Sequence, residues 1–228
     1  MGQGFGAFGK MPALGDFFRL DSPPGFVRVW DEWLQGAMMS AAQSGGDSWD
    51  EQYMSSPIWR FTLAPGLAGA AKTLGVLMPS VDRVGRRFPL ALMGAIDQEG
   101  PATLDHLTHD ATFEQLEDLA LASLDDGMDR DKLAASLAEI TPPTAHSFAP
   151  LRRAGNTLVI TQANEGGIAP ELAAGLLGAG GMAKPSLWST VLDGSRRAMI
   201  CDGLPDAHQA RALFDLNAPL WVEARPQS

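Results

Sequence analysis

The densest set of reactive residue types lies in the segment PSVDRVGRRFPL, which puts Ser80, Asp82, Arg83, Arg86 and Arg87 between two apolar runs. A plain connection needs only a few turn residues, so five polar side chains here ask for a reason. Two remain open. Asp82 can pair with an arginine and hydrogen-bond the loop backbone, which makes the segment rigid. Alternatively, the arginines anchor a partner. A second segment, GFGAFGKM, sets Gly4, Gly6, Gly9 and Lys10 at a spacing close to a phosphate-binding loop. That chemistry needs a strand before the loop, a hydroxyl after the lysine and a helix aimed at the phosphates. Only three residues precede Gly4, Met11 replaces the hydroxyl, and Pro12 with Gly15 opposes a helix. The segment therefore reads as a first strand or turn whose glycines permit close backbone approach, with Lys10 solvated or paired to Asp16.

His106 and His109, flanked by Asp105 and Asp110, have a spacing that could face one metal ion. Zinc sites want three or four ligands, and neither a HExxH pattern nor a Cys/His set accompanies them, so polar residues before a helix are the simpler reading. His146 and His208 have no nucleophile at a motif spacing. Cys201 sits in the apolar run AMIC, as a buried, inert thiol would, and no GxSxG elbow is present. No cofactor or metal is called for.

Elements that must position these residues follow from periodicity. Ser22-Pro23-Pro24 predicts a helix entrance with Ser22 as cap, followed by Phe26, Trp30, Trp33, Leu34, Ala37, Met38 and Ala41 on one stripe, stopped at Gly45-Gly46. A short helix over 49–54 comes next, then strands over 58–63, 74–78 and 89–96. Thr112 is placed to cap a helix over 113–124, and Asp129 a helix carrying Leu133, Leu137 and Ile140. The stretch 141–150 holds three prolines and is the candidate boundary if a single domain of 1–228 divides into sub-lobes. A strand over 157–161 and a helix over 170–177 follow. Runs 187–192 and 197–201 flank Asp193-Gly194, a tight-hairpin dipeptide, and a final helix begins at Pro205. Hairpin runs of strands with helices in pairs predict an α+β fold, an antiparallel or mixed central β-sheet flanked by helices on its faces.

Hydrophobic residues at 45% and charged residues at 19% describe a globular chain. One cysteine excludes an internal disulfide framework. The start lacks the order of a signal peptide, and no apolar run approaches a membrane span, so a cytoplasmic protein without membrane insertion is expected. Net charge is −10, and residues 97–139 hold 12 acids against Arg130 and Lys132, so the rest of the chain balances. Such a surface repels phosphate backbones and argues against nucleic acid as a partner. A solvated helical face explains it as well as an interface does.

The ordered segments GFGAFGKMPALGDFF, FVRVWDEWLQ, SPIWRFTLAPG and GVLMPSVDRVGRRFPL resemble the TagF family of type VI secretion-associated proteins, over roughly residues 4–96. SLWST at 186–190 is similar to a tail element of the family, with Ser189 where a second tryptophan is expected. The resemblance implies a cytoplasmic, non-enzymatic regulator that represses type VI secretion after translation by protein–protein binding, with a forkhead-associated scaffold protein as one candidate partner. The phosphatase domain to which some members are fused has no motifs here. Carried over by position, the signature comprises Lys10, Gly15, Asp16, Trp30, Asp31, Trp33, Trp59, Arg60, Asp82, Arg83, Gly85 and Arg86. The tryptophans suit a core, whereas Asp16, Asp82, Arg83 and Arg86 suit a binding surface. Within the loop, Arg86 is expected to be the contact and Asp82 with Arg83 the scaffold. The alternatives are a ligand pocket around the Asp16 and Asp82 loops, or an enzyme if those two carboxylates stand within ~10 Å of one another.

Overall fold

A computed structural model describes residues 4–141, 143, 148–161, 167–192 and 194–224. In chain order the strands are β1 (Gly6–Gly9), β2 (Phe18–Leu20), β3 (Trp59–Leu63), β4 (Lys72–Met78), β5 (Leu90–Ile96), β6 (Arg152–Ala154), β7 (Thr157–Val159), β8 (Pro185–Leu192) and β9 (Ser195–Asp202). The α-helices are α1 (Phe26–Gly45), α2 (Trp49–Met54), α3 (Ala102–Thr108), α4 (Asp110–Ala122), α5 (Arg130–Glu139), α6 (Ala169–Ala179), α7 (Ala207–Phe214) and α8 (Pro219–Glu223). Seven strands form one sheet in the order β2-β1-β5-β4-β3-β8-β9, and every neighbouring pair is antiparallel. The α+β expectation holds, with the sheet antiparallel rather than mixed. β6 and β7 pair separately as an exposed hairpin.

Both faces of the sheet are covered. Strand alternation sends Trp59, Phe61 and Leu63 to one face, where Phe26, Trp30 and Leu34 of α1 and Leu213 and Phe214 of α7 meet them. Leu74, Val76, Leu90 and Leu92 point to the other face, against Phe113 and Leu116 of α4 and Leu133 and Leu137 of α5. Burial on two sides explains why residues 74–78 of β4 and the whole of β5 read as unbroken apolar runs. Aromatic rings dominate the first face: Trp30 stacks on Phe26 at 4.8 Å and Trp188 at 6.0 Å and lies tilted against Phe61 at 4.6 Å between centroids.

Helix entrances depart from expectation at two places. The cap of α1 is Gly25 at φ 80°, and Pro23 accepts the Phe26 N–H, so Ser22 makes no cap. α4 starts at Asp110 after His109 rather than at Thr112, because α3, which periodicity did not reveal, leads straight into it. Asp129 caps α5 as expected, accepting the Lys132 N–H at 2.9 Å. The helix after Pro205 is α7, entered through a capping box of Asp206 and Gln209, and α8 follows it. β8 and β9 pair from Pro185–Asp202 to Leu192–Ser195, the hairpin expected around Gly194, while Asp193 lies outside the described residues. So do His146 and Pro142 in the candidate boundary. β8, from beyond that boundary, pairs with β3 from before it.

Candidate functional site

The connection from β4 to β5 is built around one carboxylate. Asp82 is 2% exposed, and its Oδ1 accepts the backbone N–H groups of Val84 at 3.1 Å and Arg86 at 2.9 Å. Its Oδ2 accepts Lys10 Nζ at 2.9 Å and Arg86 Nε at 2.7 Å. Burial alone would push the carboxyl up, but the hydrogen bonds from Lys10, from Arg86 and from Val84 outweigh it and hold the group well below the usual carboxylate range. Asp82 also makes the loop's backbone turn, its N–H bonding Arg86 and its carbonyl accepting Gly85. Gly85 stands at φ 82°, in the left-handed region that glycine enters without strain.

Neighbouring elements clamp this loop from both sides. The Tyr53 hydroxyl of α2 donates to the Ser80 carbonyl at 2.7 Å and accepts the Ser80 N–H at 3.0 Å. Arg87 pairs with Asp50 of α2 at 2.7 Å. On the other side, the Leu14 carbonyl accepts the Arg83 N–H at 2.8 Å, and the Gly15 carbonyl accepts Arg86 Nη2 at 2.6 Å. The segment after β1 therefore serves as the loop's second wall. The wall stands close at Gly15, where a Cβ would come within 3.1 Å of Arg83 Nη2.

The pairing differs from expectation. Lys10 is neither solvated nor bound to Asp16; it is 5% exposed and neutralises Asp82 across 72 residues of sequence. Asp82 pairs with Arg86 rather than Arg83, because the turn brings the i+4 side chain back over the carboxylate. Thus Asp82 belongs to the loop's interior. Arg83, Val84 and Arg86 are exposed at its tip, with Val84 71% exposed. Beside them lie exposed Asp16, whose Oδ1 accepts the Phe17 N–H, and Phe17, 47% exposed, packed edge-on against Phe88 with Lys10 4.7 Å from its ring centre.

The remaining signature residues have structural duties. Trp30 and Trp59 are core, Trp59 donating to the Leu213 carbonyl at 2.8 Å, and half-buried Trp33 donates to Pro205 at 2.8 Å. Asp31 is half-buried on α1. Arg60 ties β3 to α4 through a bidentate pair with Glu117 at 2.8 and 2.7 Å and a bond to Asp110 at 3.0 Å. The two histidines diverge. His106 bridges Thr62 at 2.9 Å and Ser189 at 2.8 Å, while His109 stands 3.6 Å from Asp105. Burial, with Arg60 nearby, pushes His106 down to about 4. Among the described residues no three His, Cys, Asp or Glu side chains are grouped to hold a metal ion. Cys201 is 2% exposed, and burial pushes its thiol up to about 11, as an inert core thiol requires.

A buried ion pair, Lys72 with Asp105 at 2.6 Å, escaped the sequence reading because 33 positions separate the partners and no motif marks them. Among the described residues no helix is long and apolar enough to cross a membrane. A cavity of about 870 Å³ lies over β8 and β9, and neither Asp16 nor Asp82 lines it.

The model of the TagF N-terminal domain, described as type VI secretion system-associated, matches residues 6–140, which include β1 to β5, the Asp82 loop and both of its walls. The chain belongs to the TagF family. It is thus a type VI secretion-associated protein, and the loop lies inside the segment that defines the family. The fold extends further: the crystal structure of PA0076 from Pseudomonas aeruginosa PAO1 is similar at 29% identity and TM-score 0.76, over 98% of each chain. No curated protein matches the chain.

Proposed function

We propose that the protein is a non-enzymatic, cytoplasmic repressor of a type VI secretion system, acting after translation by binding one of its components through the Arg83–Arg86 loop tip. One observation carries the reading: a buried, fully hydrogen-bonded carboxylate holds the loop rigid while Arg83, Val84 and Arg86 are presented to solvent next to Phe17. A preorganised tip binds without the ordering cost that a flexible loop would meet. Two arginines with an apolar tip suit an acidic partner surface, and the forkhead-associated scaffold is the first candidate to test.

Arg83 is the sharper probe, since its side chain takes no part in the Asp82 network while Arg86 does. Arg83→Ala is expected to melt like the wild type and to lose about 5- to 150-fold in affinity for the partner, the worth of a charge-assisted contact of roughly 1–3 kcal/mol. Pull-down of type VI components with purified protein, together with secretion in cells carrying the variant, reads both. Unchanged binding and unchanged repression would remove the loop tip from the interface.

A further inference from the structure

The cavity of about 870 Å³ lies between α6 and the β8–β9 hairpin, on the face of the sheet that carries α3 and α4. It exists because α6 leans on α3 and leaves the hairpin floor beneath it uncovered. Register sets that floor: Leu187 lies opposite Ile200, Ser189 opposite Ala198 and Val191 opposite Arg196, all on one face. Leu176, Leu177 and Met182 form the roof. The nearby indole of Trp188 packs on Trp30 and Phe61 on the other face of the sheet, so the space is walled chiefly by aliphatic chains rather than by a stacking plane. At its inner end, His106 and Ser189 hydrogen-bond each other. Charged side chains of differing status also line it, among them Arg197, which donates to the Leu216 carbonyl at 2.6 Å. Arg60 is answered by Glu117 and Asp110, Glu114 lies across on α4, and Arg196 makes no ion pair among the described residues.

We infer that this cavity binds a single-chain fatty carboxylate, its tail between α6 and the hairpin and its head group on Arg196. The volume is in the range of small-molecule sites, which run from about 300 to 1,000 Å³. Flexible aliphatic walls suit a methylene chain, which is favoured by every methylene it removes from water. Arg196, which has no counter-charge among the described residues, supplies the match for a carboxylate. The same chemistry is offered by a free fatty acid and by an acyl chain at a membrane surface, and a cavity walled by α6 on one side and the hairpin on the other favours the free acid. This site lies apart from the Asp82 loop, so the inference stands or falls independently of the repressor reading.

The full-length protein, stripped of lipid, is titrated with a dansyl-labelled undecanoic acid, which is then displaced with laurate, dodecanol or dodecylamine. Saturable binding displaced best by laurate is expected. Ala198→Trp, which fills the floor, should weaken binding at least about 10-fold, and Arg196→Gln should weaken laurate about 5-fold or more while leaving dodecanol unchanged. Because a new indole can disturb folding, Leu176→Asp on the half-exposed roof provides a second block, with melting temperature recorded for each variant. Absence of saturable binding by the wild type, or binding that survives both Ala198→Trp and Leu176→Asp, overturns the site. Equal displacement by dodecanol or dodecylamine, untouched by Arg196→Gln, overturns the carboxylate assignment. Binding to anionic phospholipid vesicles without binding of laurate assigns the surface to membranes and also overturns it.

Discussion

Asp82→Asn keeps the shape of the side chain and removes the charge that Lys10 and Arg86 face. Lys10, almost wholly buried, then has no counter-ion, which is the larger harm. The variant is expected to melt several degrees lower at pH 7. The sign of the pH effect follows from the depressed carboxyl: its stabilisation is present above the unfolded value near 4 and is lost as pH falls below it. Melting curves from pH 7 to pH 2 should therefore show a steeper acid loss for the wild type than for Asp82→Asn, and parallel curves would remove Asp82 from the stabilising network. His106 acts in a higher window. Its folded value of about 4 lies below the ordinary 6.5, so the unfolded chain takes up the proton first. Stability is complete above pH 6.5 and falls toward pH 4, by about 1.4 kcal/mol per pH unit and roughly 3 kcal/mol in all. His106→Gln is expected to flatten that part of the urea-denaturation profile, and an unchanged slope would refute the assignment.

Among the elements, the β4–β5 connection depends on one residue that has no side chain. A Cβ at Gly85 would meet open space, yet its φ of 82° strains any other L-residue. Gly85→Ala is therefore expected to cost about 1–2 kcal/mol by backbone strain alone, measured by urea titration, and to weaken partner binding further because the turn that presents Val84 and Arg86 shifts. Wild-type stability and affinity would show that the loop relaxes without loss. The helices of the acidic stretch divide their charges by depth: Asp105 is buried with Lys72 and Glu117 holds Arg60, whereas Glu114, Asp118, Asp125, Asp126 and Asp131 are exposed on or between α4 and α5. Part of what reads as a charged face in sequence is thus internal cross-linking between helix and sheet.

For the whole molecule, the order of the sheet matters more than the order of the chain. The family-defining segment ends at residue 140, but β3 lies between β4 and β8, so a chain cut there exposes the β8 side of β3. Trp188, Met199, Leu213 and Phe214 would leave the aromatic core at the same time. An unpaired apolar edge next to a hollowed core favours aggregation. Residues 1–140 expressed alone are expected to be insoluble or to melt without a sharp transition. A soluble fragment with a cooperative transition would show two independent lobes.

The α+β class, most elements, the Asp129 cap and the β8–β9 hairpin were legible in the sequence because they rest on local rules: periodicity, cap chemistry and turn residues act over a few positions. Trp30 and Trp59 as core and Cys201 as an inert thiol followed from their apolar surroundings. Tertiary structure alone decided which side of the sheet each strand joins, that Lys10 meets Asp82, that Arg86 closes onto the carboxylate while Arg83 stays outside, and that His106 bridges Thr62 and Ser189. These pairings join positions brought together by strand order, or by the exact path of one turn. A charged side chain carries no local mark of which opposite charge will stand beside it once its water is removed.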